Sequence, residues 1–201
     1  MVVGRFVPQY PYTNGITKSI YKTKDDIKVE VSSLDPFHPS TIYETAIFED
    51  NESYFQSHAL ESYITLTFKK YIFISHFALR PRIVEYKHWR PPRNVSLTSC
   101  LDRMCTINHK EDSSGKYENT KMILTPVIPS VSNVFNFTIS GVGRGEEGAK
   151  FHTIGRLEIF GFSCDTKEEC NGKLLNIINT CKTKQSLHTS IYFIIILNTS
   201  F

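Results

Sequence analysis

The 201-residue sequence holds one tryptophan, three methionines and only four alanines, at Ala46, Ala59, Ala78 and Ala149. So little of the best helix former, set against 14 phenylalanines and 10 tyrosines, argues against a helical bundle and for strands. No charge excess is present either. Lys plus Arg is 23 and Asp plus Glu is 20, a net of +3, which excludes a strongly basic nucleic-acid arm and an acidic tail. Long apolar runs are missing. The longest, residues 191–197, falls far short of the ~20 residues of a membrane helix. It is also shorter than the ~10–20 residue tail of a lipid-anchor signal. The first residues lead directly into Arg5, Pro8 and Pro11 without the apolar stretch of a secretory signal. No repeat occurs at solenoid or propeller periods.

Catalytic sets are also lacking. There is no Gly-x-Ser-x-Gly elbow and no His-Glu-x-x-His. Cys105 and His109 are close in sequence, but four positions along a strand or turn do not make a nucleophile and its base. Glu146-Glu147 is adjacent on an extended chain, so the two carboxylates point to opposite sides. Gly141-Val142-Gly143-Arg144-Gly145 has the look of a phosphate-binding loop, but it leads from strand to strand rather than to a helix N-terminus. The expectation is no enzyme, no catalytic residues, no cofactor and no metal.

What is present is a chain 40% hydrophobic and 12% aromatic, which excludes general disorder. Its length suits one domain, or one and a half. Five cysteines (Cys100, Cys105, Cys164, Cys170 and Cys181) form an odd set. The simplest reading is free thiols in a reducing compartment, hence a cytoplasmic setting. Zinc between Cys100 and Cys105 is permitted by spacing alone, and a disulfide arises if the chain is secreted.

Period-two alternation runs through the middle of the chain: Ile27, Val29, Val31; Ile64, Leu66, Phe68; Val95, Leu97; Phe135, Phe137, Ile139; Leu157, Ile159. Lys69-Lys70 interrupts one run, and predicts two antiparallel neighbours joined by a short turn. Only 17–24 and 173–182 look helical. Residues 1–13 read as a lead-in segment, 14–162 as the domain, and 163–201 as a partly helical or disordered tail. Short strands split by turn-rich loops predict an all-β antiparallel sandwich or barrel.

The long loops carry the functional candidates. Between Arg80 and Arg93 stand five cations (Arg80, Arg82, Lys87, Arg90, Arg93) against Glu85, a local +4 that leaves the rest of the chain at −1. Arginine forks suit carboxylate or phosphate, and the face of Trp89 suits a sugar ring. The alternative is that Trp89 packs over the sandwich end and the arginines only solvate the loop. Candidate contacts are Arg82, His88, Trp89, Arg90 and Arg144. Sequons stand at Asn51, Asn94, Asn136 and Asn198, and matter only in a secretory route.

The ordered segments resemble the discoidin domain, also called the coagulation factor V/VIII type C domain. The matching pieces are Asn14-Gly15-Ile16; Ser53-Tyr54-Phe55-Gln56-Ser57; Ser62 through Phe68; Ile74 through Arg80; Asn94 through Asp102; Cys105 through Lys110; and Ile154 through Gly161. The match is nearest to copies found in intracellular proteins. It implies a galactose-binding-like jelly-roll sandwich acting as a non-catalytic binding module for a protein or a glycan, with no nucleic-acid partner. Two departures stand out: the family's tryptophans are replaced by Val95 and Cys105, and Trp89 is placed to refill some of that space. Rival readings are a secreted lectin-like or phospholipid-binding adhesion domain and an accessory carbohydrate-binding module of an enzyme.

Overall fold

The computed structural model describes residues 8, 15–20, 26–32, 54–57, 59–80, 91–101, 104–110, 122–142 and 152–184. In chain order these form α1 (Ile16–Ile20), β1 (Ile27–Val31), β2 (Phe55–Gln56), β3 (Glu61–Arg80), β4 (Pro92–Leu101), β5 (Met104–His109), β6 (Ile123–Val142), β7 (Thr153–Ile154), β8 (Arg156–Cys164) and α2 (Lys167–Lys184).

The predicted turn at Lys69-Lys70 is corrected: β3 is one strand, and the two lysines lie inside it. Their two consecutive exposed side chains break the alternation without ending the ladder. β3 and β6 pair antiparallel along nearly their whole length, but β3 advances from Thr67 to Ile72 while β6 advances only from Val134 to Ser132. That bulge lets the two-stranded ribbon fold over on itself. The ends of β3 prove the fold. Ser62 Oγ lies 2.8 Å from His152 Nε2, and Gly155 N donates to Arg80 O at 2.9 Å. Positions 152 and 155 are at most ~10 Å apart, whereas a flat strand from 62 to 80 would separate its ends by about 60 Å.

The first half of β3 and the second half of β6 join β1, β4 and β5 in one layer, ordered β1-β3-β6-β4-β5. The second half of β3 sits between β8 and the first half of β6 in the other. The result is an antiparallel β-sandwich, as expected. The alternating residues fill the space between the layers: Ile64, Leu66, Phe68, Val95, Leu97, Phe135, Phe137 and Ile139 are all buried. Phe77 and Phe137 meet edge to face at 5.4 Å, a geometry that favours aromatic pairs.

β8 departs from simple alternation because both its faces are covered. Leu157 and Ile159 enter the central core. On the other face Arg156 and Glu158 are fully buried and face each other at 3.5 Å. Gly161 is required by close approach, since a Cβ there would fall on the Phe73 carbonyl. The Thr17 hydroxyl of α1 accepts from Ile159 N at 3.4 Å, occupying a donor at the sheet edge.

The free-thiol expectation is corrected as well. Cys100 and Cys105 are directly opposed across the β4–β5 hairpin, with Cα atoms 4.1 Å apart, and form a disulfide. Cys164 and Cys170 form another, Cα to Cα 5.4 Å, tying α2 back to β8. Spacing along the chain conceals both pairings, because each is set by the local path of the backbone between its two cysteines. That path is a hairpin for one pair and a helix start for the other. Val95 is buried in the core, whereas Cys105 is exposed.

α2 extends the predicted helical stretch toward its N-terminus. Thr166 Oγ1 accepts from Glu169 N at 3.1 Å, and Glu169 Oε2 accepts from Asp165 N at 2.8 Å, a capping box that starts the helix. The helical look at 17–24 corresponds to α1 at Ile16–Ile20, and residues 21–25 lie outside the described set.

Candidate functional site

The folded ribbon gives the sandwich two unlike ends. At the fold itself lie Lys69 and Lys70, both disulfides and the start of α2; Lys70 Nζ and Asp165 are 2.8 Å apart there. At the opposite end lie both ends of β3, the C-terminus of β1 and of β6, and the N-terminus of β4. Three of the long connections therefore leave and return at one end, 33–53 after Ser32, 81–90 after Arg80 and 143–151 after Val142, and a fourth, 111–121, returns there ahead of β6. This convergence is a consequence of strand register alone.

The rim of that end is built from described residues. Gly141 closes β6 at φ +64, a backbone conformation that side chains resist, and its N–H donates to Leu60 O at 2.8 Å. Arg93 lies opposite it, exposed, on the inward-facing row of β4 that continues into Val95 and Leu97. Tyr63 is 45% exposed and Leu60 51%, so an aromatic ring and an aliphatic side chain both meet solvent beside the rim.

Beneath the rim, β2 and β7 form a two-stranded brace. His152 is its anchor and is fully buried. Its backbone N–H donates to Ser57 Oγ at 3.0 Å, its carbonyl accepts from Ser57 N at 3.0 Å, and its Nε2 meets Ser62 Oγ at 2.8 Å. Burial lowers the imidazole pKa from 6.5 to about 4, so the ring is neutral at physiological pH. His152 ends the 143–151 connection and locks it to the first turn of β3.

The predicted contacts Arg82, His88, Trp89, Arg90 and Arg144 lie outside the described residues, as do Glu146 and Glu147. The strands that hold their loops converge at this end. The described cations of the basic stretch are Arg80, half-buried at the end of β3, and Arg93 at the rim. The cluster of His152, Ser57 and Ser62 was not visible in the sequence: a lone histidine after a Gly-rich loop has no periodicity to mark it. Two sequons can be located. Asn94 and Asn136 sit within strands, each half-buried with its amide oxygen enclosed. Asn51 and Asn198 lie outside the described residues. Among the described residues no group of three or more His, Cys, Asp or Glu is placed to hold a metal ion, and no helix is long and apolar enough to cross a membrane. Among the described residues, Arg93 gives the rim hydrogen-bond donors and Tyr63 an exposed aromatic ring.

No protein-family profile matches the chain, and no curated protein does. Solved structures do. A fragment of a putative chitobiase from Bacteroides thetaiotaomicron superposes with a TM-score of 0.58 at 12% identity, over 70% of this chain and 92% of that one. The family 32 carbohydrate-binding module of Clostridium perfringens NanJ, in complex with galactose, gives 0.53 at 14% identity, over 72% and 96%. A family 32 module from a C. perfringens family 31 glycoside hydrolase gives 0.53 at 13% identity, over 69% and 93%. These likenesses establish the fold: the galactose-binding-like sandwich shared by such modules and by discoidin domains.

Proposed function

We propose that the protein is a non-catalytic glycan-binding module whose site is the end of the sandwich where the three long loops converge. The observation that carries this reading is that convergence of strand ends, which flank in sequence the +4 stretch with Trp89 and the Gly-rich stretch with Arg144. The fold neighbours support it, one of them in complex with galactose. Trp89 offers a ring face to a sugar, and Arg82, His88, Arg90 and Arg144 supply donors to its hydroxyls or to a uronic carboxylate. The discoidin resemblance is a finer version of the same proposal and adds a protein surface as a second partner class. An accessory role beside an enzyme is also compatible, since one neighbour comes from a glycoside hydrolase.

The cytoplasmic expectation leaned on free thiols. With four of the five cysteines paired, we propose an oxidising setting instead, where disulfides persist.

The test is a glycan array of galactosides, N-acetylgalactosaminides and uronides with the full chain, followed by calorimetry on the best ligand. Trp89→Ala and Arg90→Ala are each expected to weaken binding about tenfold or more, roughly 1.4 kcal/mol, with no change in melting temperature. A folded chain that binds none of these sugars at millimolar concentration, or binding indifferent to both substitutions, refutes the proposal.

A further inference from the structure

α2 has an apolar face that its own domain covers only in part. Cys170, Leu174 and Ile177 follow the 4-3 spacing of one helix face, and Ile178 and Cys181 continue it in sequence. At the start of the helix the face is sealed. Cys170 is buried and disulfide-linked, and the half-buried Leu174 packs on the cluster built around the stacked rings of Phe73 and Phe162. One turn further the cover ends. Ile177, on the same face, is 37% exposed.

The chain beyond the helix has the complementary composition. Residues 185–201 contain no Lys, Arg, Asp or Glu, and 191–197 is apolar at every position. Between the end of α2 and that run lie residues 185–190, which reach about 20 Å when extended. From Ile177 to Lys184 the helix rises only about 10 Å. The spacer is thus long enough to turn the run back alongside the uncovered face.

We propose that residues 191–197 fold back against the exposed face of α2 and close a second small core beyond the Phe73–Phe162 cluster. The occupant is this chain's own segment because the tether holds it at an effective concentration in the millimolar range, above that of any second copy in dilute solution. Docking also removes an uncharged run of high strand propensity from the solvent, where it would template association. The inference is independent of glycan recognition, because α2 starts at the fold end of the sandwich, away from the three loops.

Hydrogen exchange on the full chain tests it, comparing the parent with Ile194→Asp/Ile195→Asp. The amides of 174–181 are expected to exchange about tenfold or more faster in the variant, with β3 and β6 unchanged. Ile177→Asp, made on the helix, is expected to expose 191–197 reciprocally. Unchanged exchange of 174–181 in the tail variant, or of 191–197 in the helix variant, overturns the proposal. So does a concentration-dependent dimer of the parent that the tail substitutions dissociate, since the run would then cover a second copy.

Discussion

Acid should destabilise this protein through one buried side chain, His152. In the folded state its pKa is about 4, against 6.5 for the free group, because burial disfavours the imidazolium. Between those values the unfolded chain binds a proton that the folded one does not, so stability rises with pH. The contribution is complete above pH 6.5, is lost progressively as pH falls toward 4, and does not decline further below that. At ~1.4 kcal/mol per unit, the full difference is about 3 kcal/mol, and most of it is lost between pH 7.5 and 4.5. Urea unfolding at those two pH values, on the parent and on His152→Gln, measures it. Glutamine does not titrate but keeps an amide that reaches toward Ser62, the partner of the imidazole at 2.8 Å. Burial also lowers the pKa of His76, but that effect is common to both proteins and cancels. The parent is expected to lose about 2–3 kcal/mol more than the variant. Equal losses would refute the reasoning, because they would mean that His152 is protonated in the folded state without penalty.

Three other outcomes are tied to single positions. Gly161→Ala places a Cβ against the Phe73 carbonyl in the middle of the β3–β8 ladder, where backbone has to move; thermal melting should show a loss of about 3 kcal/mol or more. Gly172, inside α2, has nothing within reach of an added Cβ, so Gly172→Ala should raise helix stability by about 0.5–1 kcal/mol in the same assay, and a loss would contradict the open surroundings. Intact mass after alkylation without reductant should show a single modified thiol, Cys181, with two disulfides mapped to Cys100–Cys105 and Cys164–Cys170; five modified thiols would return the protein to a reducing setting.

Much of the fold was legible because antiparallel strands with one buried face alternate visibly, and Ile64, Leu66, Phe68, Phe135 and Phe137 did so. The places where reading failed share a cause: the decisive neighbour is distant in sequence or the local pattern has two meanings. Lys69-Lys70 looks like a turn because two polar residues in a row usually end a strand, yet a bulge produces the same two residues. Arg156 and Glu158 look like the solvent side of β8, but that face is buried. The start of α2 was missed: Thr166-x-x-Glu169 caps it ahead of the helical stretch expected from residue 173. For the site, residue types in the basic loop were visible in advance, while the convergence of the loops was not, because it depends on how far β3 and β6 bend.

That bend accounts for how the molecule divides its tasks. Folding a single ribbon in half places its two free ends together and its crease at the far end. Every long connection that starts or returns at a ribbon end then begins at the same surface, so insertions there leave the ladder undisturbed. The crease carries the opposite demand. Its bulge interrupts backbone pairing between Thr67 and Ile72, and it is there that the covalent links gather: Cys100 pairs in register with Val134 and Cys164 with Tyr71. Neither link joins β3 to β6: one closes the β4–β5 hairpin and the other ties α2 to β8, so they hold the elements that flank the crease on each side. Reducing the protein should therefore loosen the crease first, with β3 amides near 68–72 exchanging faster while those beside His152 keep their protection. If the loop end loosens first instead, the disulfides are not what holds the crease.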